Sequence, residues 1–95
     1  MPYLVEIHPD VLQEAAAAAI EWYAARSQQA ADAFIAELDQ AVKIISESPE
    51  RWATHLHGTR RCLLRRFPFA VVYRHRSSVV QVVAIAEWSN PLAAV

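Results

Sequence analysis

The stretch Arg60-Arg61-Cys62-Leu63-Leu64-Arg65-Arg66-Phe67-Pro68-Phe69-Ala70-Val71-Val72-Tyr73-Arg74 sets paired arginines between apolar blocks and reads as two β-strands meeting at Pro68. Proline has no N–H for a ladder, so Pro68 marks the bend between strands over 60–67 and Phe69 to about His75, or an edge position. After a turn at Arg76-Ser77-Ser78, a further strand is expected over Val79–Glu87. There Val80, Val82, Ala84 and Ala86 alternate with Val79, Gln81, Val83 and Ile85. Both sets are largely apolar, which predicts a central strand, under helices on one side and partly covered on the other.

Upstream, the period-2 alternation of Tyr3, Val5 and Ile7 predicts a strand over Tyr3–His8. Pro9 fixes φ, and Asp10 is the expected cap of a helix ending near Arg26. Its stripe is Val11, Ala15, Ala18 and Trp22, with Leu12, Ala16, Ala19 and Tyr23 beside it. Following the turn Ser27-Gln28-Gln29, the residues Ala30, Phe34, Leu38, Ala41 or Val42, and Ile45 repeat at helical spacing towards Pro49, which stops the helix at about Ser48. So short a connection makes the two helices an antiparallel hairpin. The segment Glu50–Gly58, with Trp52, His55 and His57, reads as a loop into the basic strand. The element order is β-α-α-β-β-β, an α+β domain, with residues 1–95 expected as one unit.

A formal net charge of −1 conceals an uneven distribution. Residues 1–50 carry Arg26 and Lys43 against nine acids, a balance of −7; residues 51–95 carry seven arginines against Glu87, a balance of +6. Guanidinium groups present a planar fork to phosphate or carboxylate, so arginines gathered on a rigid sheet point to an anionic target or an acidic partner. A hydrophobic content of 55% with one glycine implies short loops and a face covered by a second chain. Cys62 is the sole cysteine and reads as a small core residue in a reducing cytosol. The N-terminal residues lack a basic region before an apolar stretch, and the longest apolar blocks fall short of the roughly 20 residues a membrane span needs, so a cytoplasmic location is expected.

The element order, Trp22-Tyr23 late in the first helix, Phe34 in the second, Ser48-Pro49 at its end, and above all Arg60-Arg61 through Phe67-Pro68-Phe69-Ala70-Val71-Val72-Tyr73-Arg74 together resemble the RelE/ParE superfamily of toxins from bacterial type II toxin–antitoxin modules. The basic strand, the Phe-Pro-aromatic step and the apolar run into Tyr-Arg are similar to the plasmid-stabilisation, ParE-like branch. The resemblance implies an antiparallel sheet packed against a helical hairpin, a small cognate antitoxin as partner, and one of two targets. ParE-like toxins inhibit DNA gyrase by binding; RelE-like toxins cut messenger RNA on the ribosome.

Cleavage of RNA by its 2′-hydroxyl needs a base, a stabiliser of charge at phosphorus, and an acid for the leaving oxygen. Arg60, Arg61, Arg65, Arg66 and Arg74 suit the middle role, but successive strand residues face opposite ways, so at most about half share a surface. The same five arginines are the candidates for target or antitoxin binding. Arg61, Arg65 and Glu87 are the catalytic candidates, with His55, His57 or His75 as conceivable acids. The ribonuclease branch completes its site with an arginine and a tyrosine or histidine near the C-terminus; here Glu87 is followed by the uncharged residues 88–95. His55-Leu56-His57 is too small a cluster for a metal site, and one glycine makes no phosphate loop, so neither metal nor cofactor is expected. Trp22 and Tyr23 read as helix-hairpin core, and Tyr73 as core with its hydroxyl at the rim. The reading is a toxin that acts by binding, with an endoribonuclease and a non-toxic antitoxin-binding relative as alternatives.

Overall fold

A computed structural model describes residues 3–87. Strand β1 is Leu4–Ile7; a first helix follows as a π-helical stretch Val11–Ala16 continued by α1, Ala17–Ala24; helix α2 is Gln28–Glu47; a 3-10 turn spans Leu56–Gly58; and β2 (Arg60–Leu63), β3 (Phe69–Arg76) and β4 (Val79–Glu87) complete the order. The sheet runs β1-β4-β3-β2, which makes β4 central as its two apolar faces imply. The α+β class and the helical hairpin against one sheet face are as expected, but the sheet is mixed rather than wholly antiparallel, because β1 lies parallel to β4. Short connections force β2, β3 and β4 to alternate in direction, whereas β1 is separated from them by two helices and is free of that constraint.

The first helix departs from its predicted face. Asp10 has helical backbone angles and makes no side-chain cap; instead the Asp10 N–H donates to His8 Nδ1 at 3.1 Å, and the Val11 N–H to the His8 carbonyl at 2.9 Å. With Pro9 already in helical φ, the capping position moves back one residue past it. The π-helical stretch then advances by five residues per hydrogen bond instead of four. The buried line therefore goes from Val11 to Ala16 and Ala19, where uniform α-helix would have taken it through Ala15 and Ala18 to Trp22. Ala18 and Trp22 are consequently exposed.

Helix α2 keeps its pattern from Phe34 onward, but it starts earlier than expected: Gln28 and Gln29, read as a turn, are helical, and Ala31 rather than Ala30 opens the buried stripe. The Ser27 hydroxyl accepts from the Ala30 N–H at 3.3 Å, and Ala31, Phe34, Leu38, Ala41 and Ile45 form the buried stripe. They meet Cys62, Val71, Tyr73, Val80 and Val82 across the layer interface. Around Phe34 the rings of Tyr23, Phe67 and Phe69 close in at 5.2, 5.2 and 5.4 Å between centroids, mostly edge to face.

Two irregularities redirect side chains on the sheet. Opposite Val72 and Tyr73, β4 contributes Ala84 and Val82, leaving Val83 as a bulge residue. Past it the facing of β4 inverts, so Ile85 rather than Ala84 packs on the core. The second irregularity ends β2 at Leu63, four residues earlier than predicted, and removes Arg65 and Arg66 from the strand. Leu64 still donates to the Phe69 carbonyl at 2.9 Å, but the Arg65 and Arg66 N–H groups turn to the Glu37 carboxylate at 3.3 Å each. A three-residue turn, Phe69 N–H to Phe67 carbonyl at 2.8 Å, carries the chain round Pro68 into β3.

Candidate functional site

The five arginines singled out by sequence do not form one surface. Arg60 faces the helix side with Tyr73, and its guanidinium donates to the carbonyls of Trp52 and Glu50, tying down the loop after α2. Arg65 and Arg66 sit in the bend after β2, both exposed, with the Arg66 Nε 3.8 Å from Glu37. Arg61 and Arg74 point to the sheet face away from the helices. Arg76, read from sequence as part of a turn, extends β3 onto that same face, so Arg61, Arg74 and Arg76 share it. Across the sheet Arg74 is in register with Gln81 and Glu6, and the Arg74 Nε is buried without a hydrogen-bond partner among the described residues. Leu63 and the small apolar residues Ala70, Val72, Ala84 and Ala86 lie beside this basic group on the same face.

Glu37 had no signal in the sequence beyond its place on the helix, yet its nearly buried carboxylate organises the bend that displays Arg65 and Arg66. Hydrogen bonds to a charged acceptor contribute about 1.5–3 kcal/mol each. Glu37→Ala is expected to destabilise the domain by roughly 2 kcal/mol in urea denaturation and to speed amide exchange at Arg65 and Arg66. An unchanged urea midpoint would show that the bend holds its shape without the carboxylate.

The catalytic candidates are separated. Glu87 pairs with Phe69 and lines a cleft of about 490 Å³ on the helix side, together with Ala15, Ala18, Trp22, Tyr23 and Ile85. Arg61 is on the opposite face, and Arg65 is off the sheet. His75 is level with Val80 at the far end of β4, six residues along β3 from the Glu87 position, or roughly 20 Å at strand rise. Its ring packs edge-on against Tyr3 at 5.5 Å, with Nε2 3.6 Å from the Glu50 carboxylate. His55 and His57 are exposed in the loop, His57 at φ 59°. Among the described residues no three His, Cys, Asp or Glu side chains cluster as a metal site. The uncharged stretch 88–95 lies outside the described residues.

Three groups of reactive type, one thiol and two phenols, are held back by burial. The Cys62 thiol is buried, and desolvation raises its pKa, with the Arg51 charge opposing this and Glu37 adding to it. Tyr73 is fully buried rather than poised at a rim, and its hydroxyl donates to the Pro49 carbonyl at 2.5 Å. Desolvation pushes it up to about 12, against the lowering effect of Arg60 and with a further raising contribution from Cys62. The Tyr23 hydroxyl is likewise raised, first by burial and then by the Glu87 charge. Of the aromatic pair on the first helix, Tyr23 packs into the core cluster while Trp22 is half-exposed, with the Arg26 guanidinium carbon 3.4 Å from its ring centre.

A helical hairpin thus covers one face of a four-stranded sheet, with arginines on the other. Residues 5–89 match the family described as the ParE toxin of the type II toxin–antitoxin system parDE. The chain belongs to the ParE toxin family of type II toxin–antitoxin systems. Among solved structures it is similar to a chain titled as the chromosomal ParDE toxin–antitoxin system from P. aeruginosa, with TM-score 0.78 and 16% identity over 92% of this chain and 97% of that one. At that identity the likeness is one of fold. A comparison with curated proteins gives no match. No helix among the described residues is long and apolar enough to cross a membrane.

Proposed function

We propose that this protein is a cytoplasmic growth inhibitor that acts by binding, with DNA gyrase as its target and a cognate antitoxin as its neutralising partner, in a module that stabilises the replicon carrying it. The observation that carries the reading is the placement of Arg61 and Glu87 on opposite faces of the sheet, with Arg65 beyond its end. One scissile phosphate would have to reach all three. Arg60 and the Glu37-anchored bend serve the fold, whereas Arg61, Arg74 and Arg76 on an apolar face suit a protein surface with carboxylates. Family membership supports the toxin role and the antitoxin.

Induced expression in a bacterial host should arrest growth, induce the SOS response and leave ribosome-bound messenger RNA intact, and purified protein should inhibit supercoiling by gyrase. Glu87→Ala should change the arrest less than about twofold, whereas losing a true general base costs about 10²–10⁴-fold. Prompt cleavage of ribosome-bound messenger RNA, abolished by Glu87→Ala, would overturn the proposal in favour of the endoribonuclease. Unimpaired growth with retained antitoxin binding would make the protein the non-toxic relative.

A further inference from the structure

Two breaks in regular structure converge on one end of the molecule. The π-helical stretch Val11–Ala16 takes Ala15, Ala18 and Trp22 off the core line, and the bulge at Val83 turns Ile85 and Glu87, instead of Ala84 and Ala86, to the helix side of the sheet. All five of the redirected side chains line the same cleft of about 490 Å³. Insertions of both kinds recur where a protein re-aims side chains around a functional site.

The walls of the cleft set the class of ligand. Alanines of the first helix leave its floor open, and Trp22, Tyr23 and Phe69 supply aromatic surface. Trp22 is 53% exposed, although tryptophan is a side chain that folding ordinarily covers. Glu87 is the one charged residue in the lining, and none of the ion pairs among the described residues uses it. Its charge reaches the Tyr23 hydroxyl, whose pKa is raised first by burial and then by Glu87. Aromatic faces attract a cation, and the Trp22 ring already carries one: the Arg26 guanidinium carbon is 3.4 Å from its centre, held there by a hydrogen bond from Arg26 Nη1 to the Trp22 carbonyl at 2.9 Å. Arg26 is not itself part of the lining.

Apolar walls, aromatic faces and a single carboxylate repel anions, and they would leave the hydroxyls of a sugar-like ligand unpaired. They match one positive charge carried on an apolar body, with the charge against Glu87 and the body among the alanines and rings. The volume lies within the roughly 300–1,000 Å³ of small-ligand pockets. We infer that this cleft binds a small organic monocation, an amine on an aromatic or branched apolar body, with Glu87 as its counter-ion and Trp22 and Tyr23 as its aromatic walls. The site is independent of the toxin reading, because it lies on the helix side of the sheet while Arg61, Arg74 and Arg76 lie on the other.

The test titrates the whole protein with phenylbutylamine, followed by calorimetry and by the Trp22 indole resonance, which Trp22→Phe assigns. A dissociation constant on the order of 10⁻⁴ M is expected for a ligand of this size. Phenylbutanol, the neutral isostere, and phenylbutyrate, the anion, should bind at least tenfold more weakly, as should the amine to Glu87→Gln. Ala18→Phe, at an exposed helix position, should fill the cleft and abolish binding without lowering the thermal melt, so that lost binding is told from lost fold. The acetyl methylamide of lysine, with the same ammonium on a thin stem, should bind at least tenfold more weakly than phenylbutylamine. No binding at millimolar amine, equal binding of phenylbutanol, or indifference to Glu87→Gln or Ala18→Phe would each overturn the inference. So would equal binding of the lysine derivative, which would make the cleft a reader of protein side chains. A tenfold gain in affinity in Trp88→Ala would give the cleft to residues beyond 87, and self-association abolished by Ala18→Phe would give it to a second copy; either result overturns the inference.

Discussion

Phe34→Ala is expected to cost the domain a large share of its stability. The ring is fully buried at the meeting point of both helices and the sheet, in contact with Tyr23, Phe67 and Phe69. Truncating a phenylalanine in such a position costs about 3–5 kcal/mol in transfer free energy and residual cavity. A domain of this size has roughly 5–14 kcal/mol to lose. The neighbours are themselves rings held by the hairpin and the 64–68 bend, so collapse into the space is restricted. Circular dichroism and urea denaturation at 25 °C should show a folded baseline with the midpoint lowered in proportion to that loss. Phe34→Leu, which keeps most of the volume, should lose about half as much or less. A Phe34→Ala midpoint close to wild type would mean that Tyr23 and Phe67 do not depend on this ring.

A steep loss of stability between pH 10 and 12 is the second expectation. The Tyr73 hydroxyl is neutral when protonated, and its folded pKa is raised from 10 to about 12. The stabilisation is therefore fully present below pH 10, where both folded and unfolded chains hold the proton, and it fades as pH rises towards 12, because the unfolded chain ionises first. A two-unit difference corresponds to roughly 2–3 kcal/mol at the upper end. Tyr23 and Cys62, also raised, act in the same direction over their own ranges. Tyr73→Phe should start about 1–3 kcal/mol less stable at neutral pH, since it strands the Pro49 carbonyl, and should then show a shallower alkaline decline than wild type. Parallel curves for the two proteins would exclude Tyr73 as the source.

The sequence made α2 legible because Phe34, Leu38, Ala41 and Ile45 keep one helical period and Pro49 marks the end. Its start was not legible: Gln28 and Gln29, read as a turn, are helical behind the Ser27 cap, and the stripe begins at Ala31 rather than Ala30. It made β4 legible through two apolar faces. At two of the places where reading failed, a single surplus residue was the cause. The π-helical stretch and the bulge at Val83 each shift a periodic pattern by one position, and composition carries no mark of either. The strand through Arg65 and Arg66 failed for a different reason. Its alternation continued in sequence, but Glu37, distant along the chain, captured the two amides that a ladder would have needed. Of the five arginines taken as candidates, Arg61, Arg65 and Arg66 are exposed and Arg60 and Arg74 half-buried. Arg60 could not be told from its neighbours, because nothing local announces that loop carbonyls lie within its reach.

The π-helical stretch of the first helix also bears on how relatives of this chain should be aligned. A gap of one residue placed anywhere in α2 would turn everything beyond it by about 100° and expose its buried stripe. Within Val11–Ala16 the same gap would merely convert a wide turn into an ordinary one, leaving the residues corresponding to Ala19 and Tyr23 where they are. Length differences there are conformationally silent, and a gap-free alignment through that segment would pair side chains that occupy different places in space.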